Sequence, residues 1–145
     1  LDTQGSRDMA RLNAFMGGIA WYKLIPSGLG GMRTLITGGG SSVSSSSYVA
    51  AAAAADGTLM VAYLPPAHRG TITVDMSAMS GSAQARWFDP TNGTYMEIGA
   101  GLANAGLRVF TTPGNNSAGG KDWLLVLHTA SASVRSPPGN RRPIP

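Results

Sequence analysis

The chain has 145 residues, no cysteine, a hydrophobic content of 43% and charged residues at only 12%. This length suits one domain with a packed core, and twenty glycines and nine prolines favour a turn-rich all-β domain over a helical bundle. The net charge of +4 comes mostly from three arginines after residue 130, and no basic stripe with interleaved aromatics exists, so we expect no nucleic-acid binding. The absence of cysteine excludes disulfides and thiolate metal sites.

The N-terminal stretch, residues 1 to about 20, predicts a helix. Ser6 is the expected N-cap, and Asp8 in the first turn would interact favourably with the helix dipole. Five apolar residues recur at helical spacing and predict a buried stripe: Met9, Leu12, Phe15, Met16 and Ile19. What this stripe packs against is open, because a single helix beside a β-sandwich often belongs to a preceding domain.

The next stretch alternates short extended segments with loops. Residues 21–26 form an aromatic extended segment that ends at Pro26, and residues 33–37 predict a brief strand. The sequence GGGSSVSSSS at 38–47 is of low complexity and predicts an exposed flexible loop. Residues 48–55, YVAAAAAA, favour a helix by propensity, but the hairpin turn Asp56-Gly57 that follows indicates a central strand.

Three short apolar runs, 59–64, 71–76 and 83–88, are each closed by glycine or proline and predict an antiparallel β-meander. Further strands are expected at 94–98 and 107–112, and residues 122–128 are apolar on both faces, which favours a central position in a sheet. The total of seven or eight strands predicts an all-β antiparallel sandwich with one N-terminal helix. The Pro/Ser/Arg-rich residues 130–145 are expected to be disordered.

No catalytic constellation stands out. Glycoside hydrolysis usually needs two flanking carboxylates, and the single glutamate and six aspartates form no suggestive pair. The two histidines, His68 and His128, are too few for a structural zinc site, and no nucleophile elbow or phosphate loop is present. We therefore expect no catalytic residue, no metal and no cofactor in this chain.

Aromatic side chains offer the only candidate ligand site. A flat aromatic ring exposed on a rigid strand can stack on a sugar, whereas a buried ring belongs to the core. Trp87 and Trp123 fit the core interpretation better, and Tyr95, beside a turn, is the better candidate for an exposed platform. The candidate ligand-binding residues are Tyr95, Trp87, Asp89 and Trp123.

Three segments carry a resemblance to a known family: VAYLPPAHRGTITVDMSAMSG, ARWFDPTNGTYMEIG and FTTPGNNSAGGKDWLLVL. In this order they resemble the C-terminal domain of apiosidase-like bacterial glycoside hydrolases, which is often labelled a "putative collagen-binding domain". The most specific pieces are RWFDP at 86–90 with Gly93, and Asp122-Trp123 before an apolar strand. Upstream, Met9, Leu12 and Phe15 with residues 21–26 look like the last helix and exit segment of a catalytic barrel.

The resemblance covers roughly residues 5 to 128 and implies a β-sandwich attached to a (β/α)8 barrel. The catalytic carboxylates of the family belong to the barrel, and no position here matches them. The implied division is a helix and linker at 1–30, a sandwich at 31–129 and a tail at 130–145. The chain starts at Leu1 without an initiator methionine, so we expect a processed product or a fragment of a longer protein.

The leading hypothesis is a non-catalytic accessory module of a secreted glycoside hydrolase, extracellular or periplasmic. Its expected partners are the parent barrel, a polysaccharide or matrix protein, and a second copy of itself; nucleic acid and a membrane span are not expected. The alternatives are an independent glycan- or matrix-binding module, a structural protein that self-associates through strand edges or its helix, and a small hydrolase.

Overall fold

The computed structural model describes residues 3–130, and within them nine strands form two antiparallel sheets. The all-β sandwich with an N-terminal helix is therefore confirmed. The helix α1 spans Gln4–Gly17 and a 3₁₀ turn spans Trp21–Lys23. The strands are β1 (Leu24–Pro26), β2 (Ile36–Gly38), β3 (Ala50–Ala54), β4 (Leu59–Leu64), β5 (Thr71–Asp75), β6 (Ala83–Asp89), β7 (Thr94–Leu102), β8 (Leu107–Thr111) and β9 (Trp123–Thr129).

The larger sheet has six strands in the order β1-β3-β4-β9-β6-β7, and the smaller has three in the order β2-β5-β8. Alternate residues of each strand point between the sheets and form the main core, which includes Trp87, Trp123, Ile72 and Phe110. The alanine run forms β3, paired with β1 and β4, and β9 lies centrally between β4 and β6. Both predictions for these strands are confirmed.

The predicted meander of three consecutive strands is wrong. β4 and β6 lie in the larger sheet with β9 between them, whereas β5 lies in the smaller sheet. The chain therefore crosses from one sheet to the other twice between Leu64 and Ala83. The strand boundaries were visible in local sequence, but the sheet that each strand joins depends on contacts with distant residues.

The helix begins one turn earlier than the sequence predicts. Thr3, not Ser6, is its N-cap: the Thr3 hydroxyl accepts from the Ser6 backbone N–H at 3.2 Å, and the Ser6 hydroxyl accepts from the Thr3 N–H at 3.1 Å. This reciprocal pair is a capping box, in which serine occupies the third helical position. Asp8 consequently lies beyond the first turn, and the predicted cap was wrong by three residues.

The helix covers the outer face of the six-stranded sheet. Phe15 and Ile19 pack there in a second core cluster with Leu59, Phe88 and Val126, separate from the core between the sheets. The Phe15 ring lies 4.6 Å from the Phe88 ring, centroid to centroid. The chain thus has three layers, with the six-stranded sheet in the middle. β1, which falls within the predicted linker, pairs with β3, so the proposed domain boundary near residue 30 stays a prediction.

Gly57, in the turn between β3 and β4, allows a test of the packing. It has φ of +72°, and a Cβ there would lie 2.6 Å from the Ser80 backbone nitrogen. Gly106 has a similar φ of +70° but nothing within 4 Å of a built Cβ. We expect Gly106→Ala to cost about 1–2 kcal/mol for the backbone conformation, and Gly57→Ala a further ~1–3 kcal/mol for displacing Ser80. Urea unfolding of both variants gives the comparison, and equal losses would contradict it.

Candidate functional site

The two predicted tryptophans lie in the core between the sheets. Trp87 is 4% exposed and Trp123 is 2% exposed, and the Trp123 indole N–H donates to the Gly114 carbonyl at 2.8 Å. Neither ring therefore presents a face on which a sugar could stack. Either tryptophan could contact a ligand only if the core rearranged. Their ligand-binding role stays a prediction.

Asp89 is also buried, and its carboxylate organises the surrounding loops. One oxygen accepts from the Thr91 backbone N–H at 2.8 Å and from its hydroxyl, while the other accepts from the Ser117 N–H at 2.9 Å. Burial raises the pKa of Asp89, but these hydrogen bonds outweigh it and hold the pKa below the ordinary value of 3.8. The carboxylate joins the β6–β7 turn to the loop before β9.

Asp89 is one of four residues that share a local motif. At Asp56, Asp75, Asp89 and Asn92, a side-chain oxygen accepts from both the N–H and the hydroxyl of the serine or threonine two positions later. These are Asx turns, which occupy the carboxylate with the chain's own donors. Asp56 and Asp89 were expected in turns from the sequence, whereas Asp75 was expected on an exposed strand face. The pattern Asp/Asn-x-Ser/Thr was readable in the sequence and would have identified Asp75 as well.

Tyr95 lies half-buried on the outer face of the six-stranded sheet. Its ring centroid is 5.0 Å from that of Phe88, and the Arg86 guanidinium lies 5.4 Å above its ring. Burial raises the pKa of Tyr95 to about 12, against a smaller opposite effect of Arg86. Arg86 also pairs with Glu97, with Nε and Oε1 at 2.8 Å. Tyr95 therefore belongs to a packed aromatic and ion-pair cluster, and its ligand-binding role stays a prediction.

A different surface is open: the side of α1 and the 3₁₀ turn that points away from the sheet. Four large side chains are exposed on this surface, called here the helix face: Met9 65%, Leu12 50%, Trp21 53% and Tyr22 72%. Successive residues of a helix are about 100° apart, so Met9 lies about 120° around α1 from the buried Phe15. Only one side contacts the sheet.

The helix face contains a shallow groove of about 330 Å³ between Met9, Leu12, Asn13, Met16 and Trp21. The Trp21 and Tyr22 rings meet edge to face at 6.3 Å, forming its aromatic end. Concentrated aromatic and aliphatic exposure of this kind is typical of a protein contact surface and is rare on an isolated monomer. The helix face is therefore the candidate interaction site of the domain.

Between residues 3 and 130, no three His, Asp or Glu side chains lie together in a group that could hold a metal ion. Over the same residues, no helix has the length and apolar character needed to cross a membrane.

The family described as "putative collagen-binding domain of a collagenase" matches residues 33–128, which is most of the chain. The chain belongs to this family. The matched range starts just before β2 and ends within β9, so it contains the sandwich without α1 and β1. A search of curated proteins finds no match.

Two solved structures share the fold. One, titled "Glycoside hydrolase", has a TM-score of 0.69 and 20% identity over 90% of this chain and 26% of its own. The other is a glycoside hydrolase family 5 protein from Bacteroides vulgatus, with a TM-score of 0.71 and 18% identity over 90% of this chain and 25% of its own. The chain thus spans about a quarter of the length of each of these hydrolases.

The structural likeness reaches further along the chain than the family match. Coverage of 90% is more than residues 33–145 can supply, so the likeness includes part of the segment before residue 33. This segment contains the helix, the 3₁₀ turn and β1. The N-terminal elements are therefore, at least in part, a shared feature of the fold within larger chains.

Removing the Asp89 carboxylate tests its role in the loops. We expect Asp89→Ala to lower the free energy of unfolding by about 2–4 kcal/mol, because the Thr91 and Ser117 N–H groups lose their acceptor. Asp56→Ala, at an exposed Asx turn, is the matched control and should lose far less. Denaturant unfolding at pH 7 measures both. Equal effects of the two substitutions would argue against a special role for Asp89.

The stability difference between wild type and Asp89→Ala should depend on pH. The pKa of Asp89 is depressed in the folded state, so its stabilising contribution is present above about pH 4 and is lost as the pH falls through the folded pKa. The stability difference between wild type and Asp89→Ala should therefore narrow below pH 4. A difference that stays constant from pH 7 to pH 2 would show that Asp89 acts through packing alone.

Proposed function

We propose that this domain is a non-catalytic accessory module of an extracellular glycoside hydrolase, and that its helix face packs against the catalytic domain. One observation carries the proposal. One side of α1 is buried against the sheet, whereas its other side and the 3₁₀ turn expose large apolar side chains. A neighbouring domain that covered Leu12 and Trp21 would remove a large apolar surface from water, which is the main driving force of protein association.

The comparisons support this arrangement. Chains of the two structural neighbours are about four times longer than the part that matches, and both carry the name of a glycoside hydrolase. Their matched parts include residues N-terminal to the sandwich, where the helix face lies. A catalytic domain that precedes the module would meet the helix face at the point where the chain passes from one domain to the other.

Binding of a glycan or a matrix protein is the second part of the proposal. The family carries the description of a collagen-binding domain, and the neighbours carry that of hydrolases that act on glycosides. Charged residues make up only 12% of the chain, which favours a partner without strong charge. The module would hold its catalytic domain close to such a polymer.

The isolated chain should self-associate through the helix face. Without a covering domain, Leu12 and Trp21 of two copies can bury each other, so the mass from light scattering should rise above 14.9 kDa with concentration. We expect Leu12→Glu and Trp21→Ser to weaken this association at least tenfold, because each removes a central apolar contact. Both side chains are about half buried, so each change should also lower the free energy of unfolding, by about 1–2 kcal/mol.

A control on the opposite sheet separates the helix face from the alternative of assembly through strand edges. β8 is an edge strand of the smaller sheet, with Leu107 64% and Val109 61% exposed, and such edges can pair between copies. Val109→Glu should leave association unchanged if the helix face is responsible. Loss of association in Val109→Glu, with Leu12→Glu unaffected, would favour the assembly function. A monomer at all concentrations would contradict both routes.

A further inference from the structure

A second groove lies on the other side of Leu12, between α1 and the outer face of the six-stranded sheet. It encloses about 450 Å³, which is within the range of sites for small ligands. Its floor is apolar, and its accessible surface comes from Leu124 and Pro90. Beneath them lie Phe15 of the helix and Phe88, the cross-strand partner of Leu124, each only 2% exposed. The Phe15 and Phe88 rings pack against each other and support this floor from below.

The rim of the groove is polar. Tyr63 of β4 lies beside Leu124, and Asp122 comes immediately before β9, so strand pairing places the phenol next to the carboxylate. Arg11 and Thr91 complete the rim. Both Tyr63 and Asp122 are half-buried, and each is accessible from the groove. One cation and one anion on the rim favour a ligand without net charge.

The position of the Asp122 carboxylate is fixed, but only one of its oxygens has a close partner. Oδ1 accepts from the Asn116 side-chain N–H at 2.8 Å, whereas Oδ2 has the Tyr63 hydroxyl at 3.5 Å, the far limit of a hydrogen bond. Asn116 is itself buried, and its carbonyl oxygen accepts from two backbone N–H groups, of Ala118 and Gly120. Oδ2 can therefore accept a hydrogen bond from a ligand, at a point close to the Tyr63 hydroxyl.

We propose that this groove binds a pyranose ring of a neutral glycan. One face of the sugar would lie on the apolar floor. Its hydroxyls would donate to Asp122 Oδ2 and accept from the Tyr63 hydroxyl, closing the long gap between these two groups. Burial and the adjacent carboxylate raise the pKa of the Tyr63 phenol, so it stays protonated and able to donate at neutral pH.

A proline-rich or collagen-like strand fits the groove less well. Proline has no backbone N–H, so such a strand offers few donors to the carboxylate of Asp122, whereas each sugar ring offers several hydroxyls. The Asp122 carboxylate would then lose its water on binding without gaining a hydrogen-bond donor, and this loss lowers the affinity. The inference rests on the glycan-binding part of the proposed function and deepens it, and its test does not depend on what covers the helix face.

The test is an NMR titration of the ¹⁵N-labelled chain with tetrasaccharides of β-1,4-linked glucose, xylose, mannose and galactose. The Trp21→Ser variant is used, which weakens self-association without altering a residue that lines this groove. We expect at least one tetrasaccharide to shift the amide signals of Tyr63, Thr91, Asp122 and Leu124. Asp122→Asn and Tyr63→Phe keep the side-chain shapes and should each weaken binding about 10–100-fold.

Matched controls are Asp56→Asn and Tyr22→Phe, which make the same chemical changes outside the groove and should leave the affinity unchanged. Thermal melting confirms that each variant is folded. Absence of shifts with all four sugars, or shifts confined to other surfaces, would overturn the proposal. The proposal would also be overturned if a triple-helical (Pro-Hyp-Gly)10 peptide shifted the signals of the groove residues while none of the sugars did. None of these results would change the light-scattering outcome, so failure of glycan binding and failure of the helix face are distinguishable.

Discussion

The six-stranded sheet is apolar on both faces, and covering both is the constraint on which the rest of the structure depends. In β9, Leu125 and Leu127 point into the sandwich core while Leu124 and Val126 point to the outer face. The three-stranded sheet covers only the inner face. The helix and the turn that follows it cover the outer face, through Phe15 and Ile19 respectively. Without α1, Phe88 and Val126 would be exposed to water at a cost of about 1.5–3 kcal/mol per side chain.

The strands were predictable because their signals are local. Alternation in 71–76, the glycine and proline turns, and the two-sided apolar run at 122–128 each mark a strand without reference to the rest of the chain. Sheet membership was not predictable in the same way. β5 has the alternation of any half-buried strand, and only its pairing with β2 and β8 places it in the smaller sheet. The predicted meander failed for this reason.

The candidate sites likewise combine features that local sequence shows with features that depend on contacts between distant residues. The apolar stripe of α1 was visible in the sequence. Which residues of the stripe are buried and which are exposed depends on how the helix lies on the sheet. Tyr63 and Asp122 are 59 residues apart, and only the antiparallel pairing of β4 with β9 brings them together. The burial of Trp87 and Trp123 follows from strand register, since each lies on the inward-facing side of its strand. A one-residue shift of register would have reversed this.

The helix connects the two proposed sites physically. Its buried side fixes it to the sheet through Phe15, its exposed side forms the helix face, and Leu12 borders both that face and the groove. A domain that docks on Trp21 and Leu12 would therefore contact one rim of the groove directly. Because Phe15 is packed against Phe88, the helix cannot shift without disturbing the groove floor. If the proposed catalytic domain docks there, the groove takes a fixed position beside it, and a glycan bound in the groove is held at one distance from that domain.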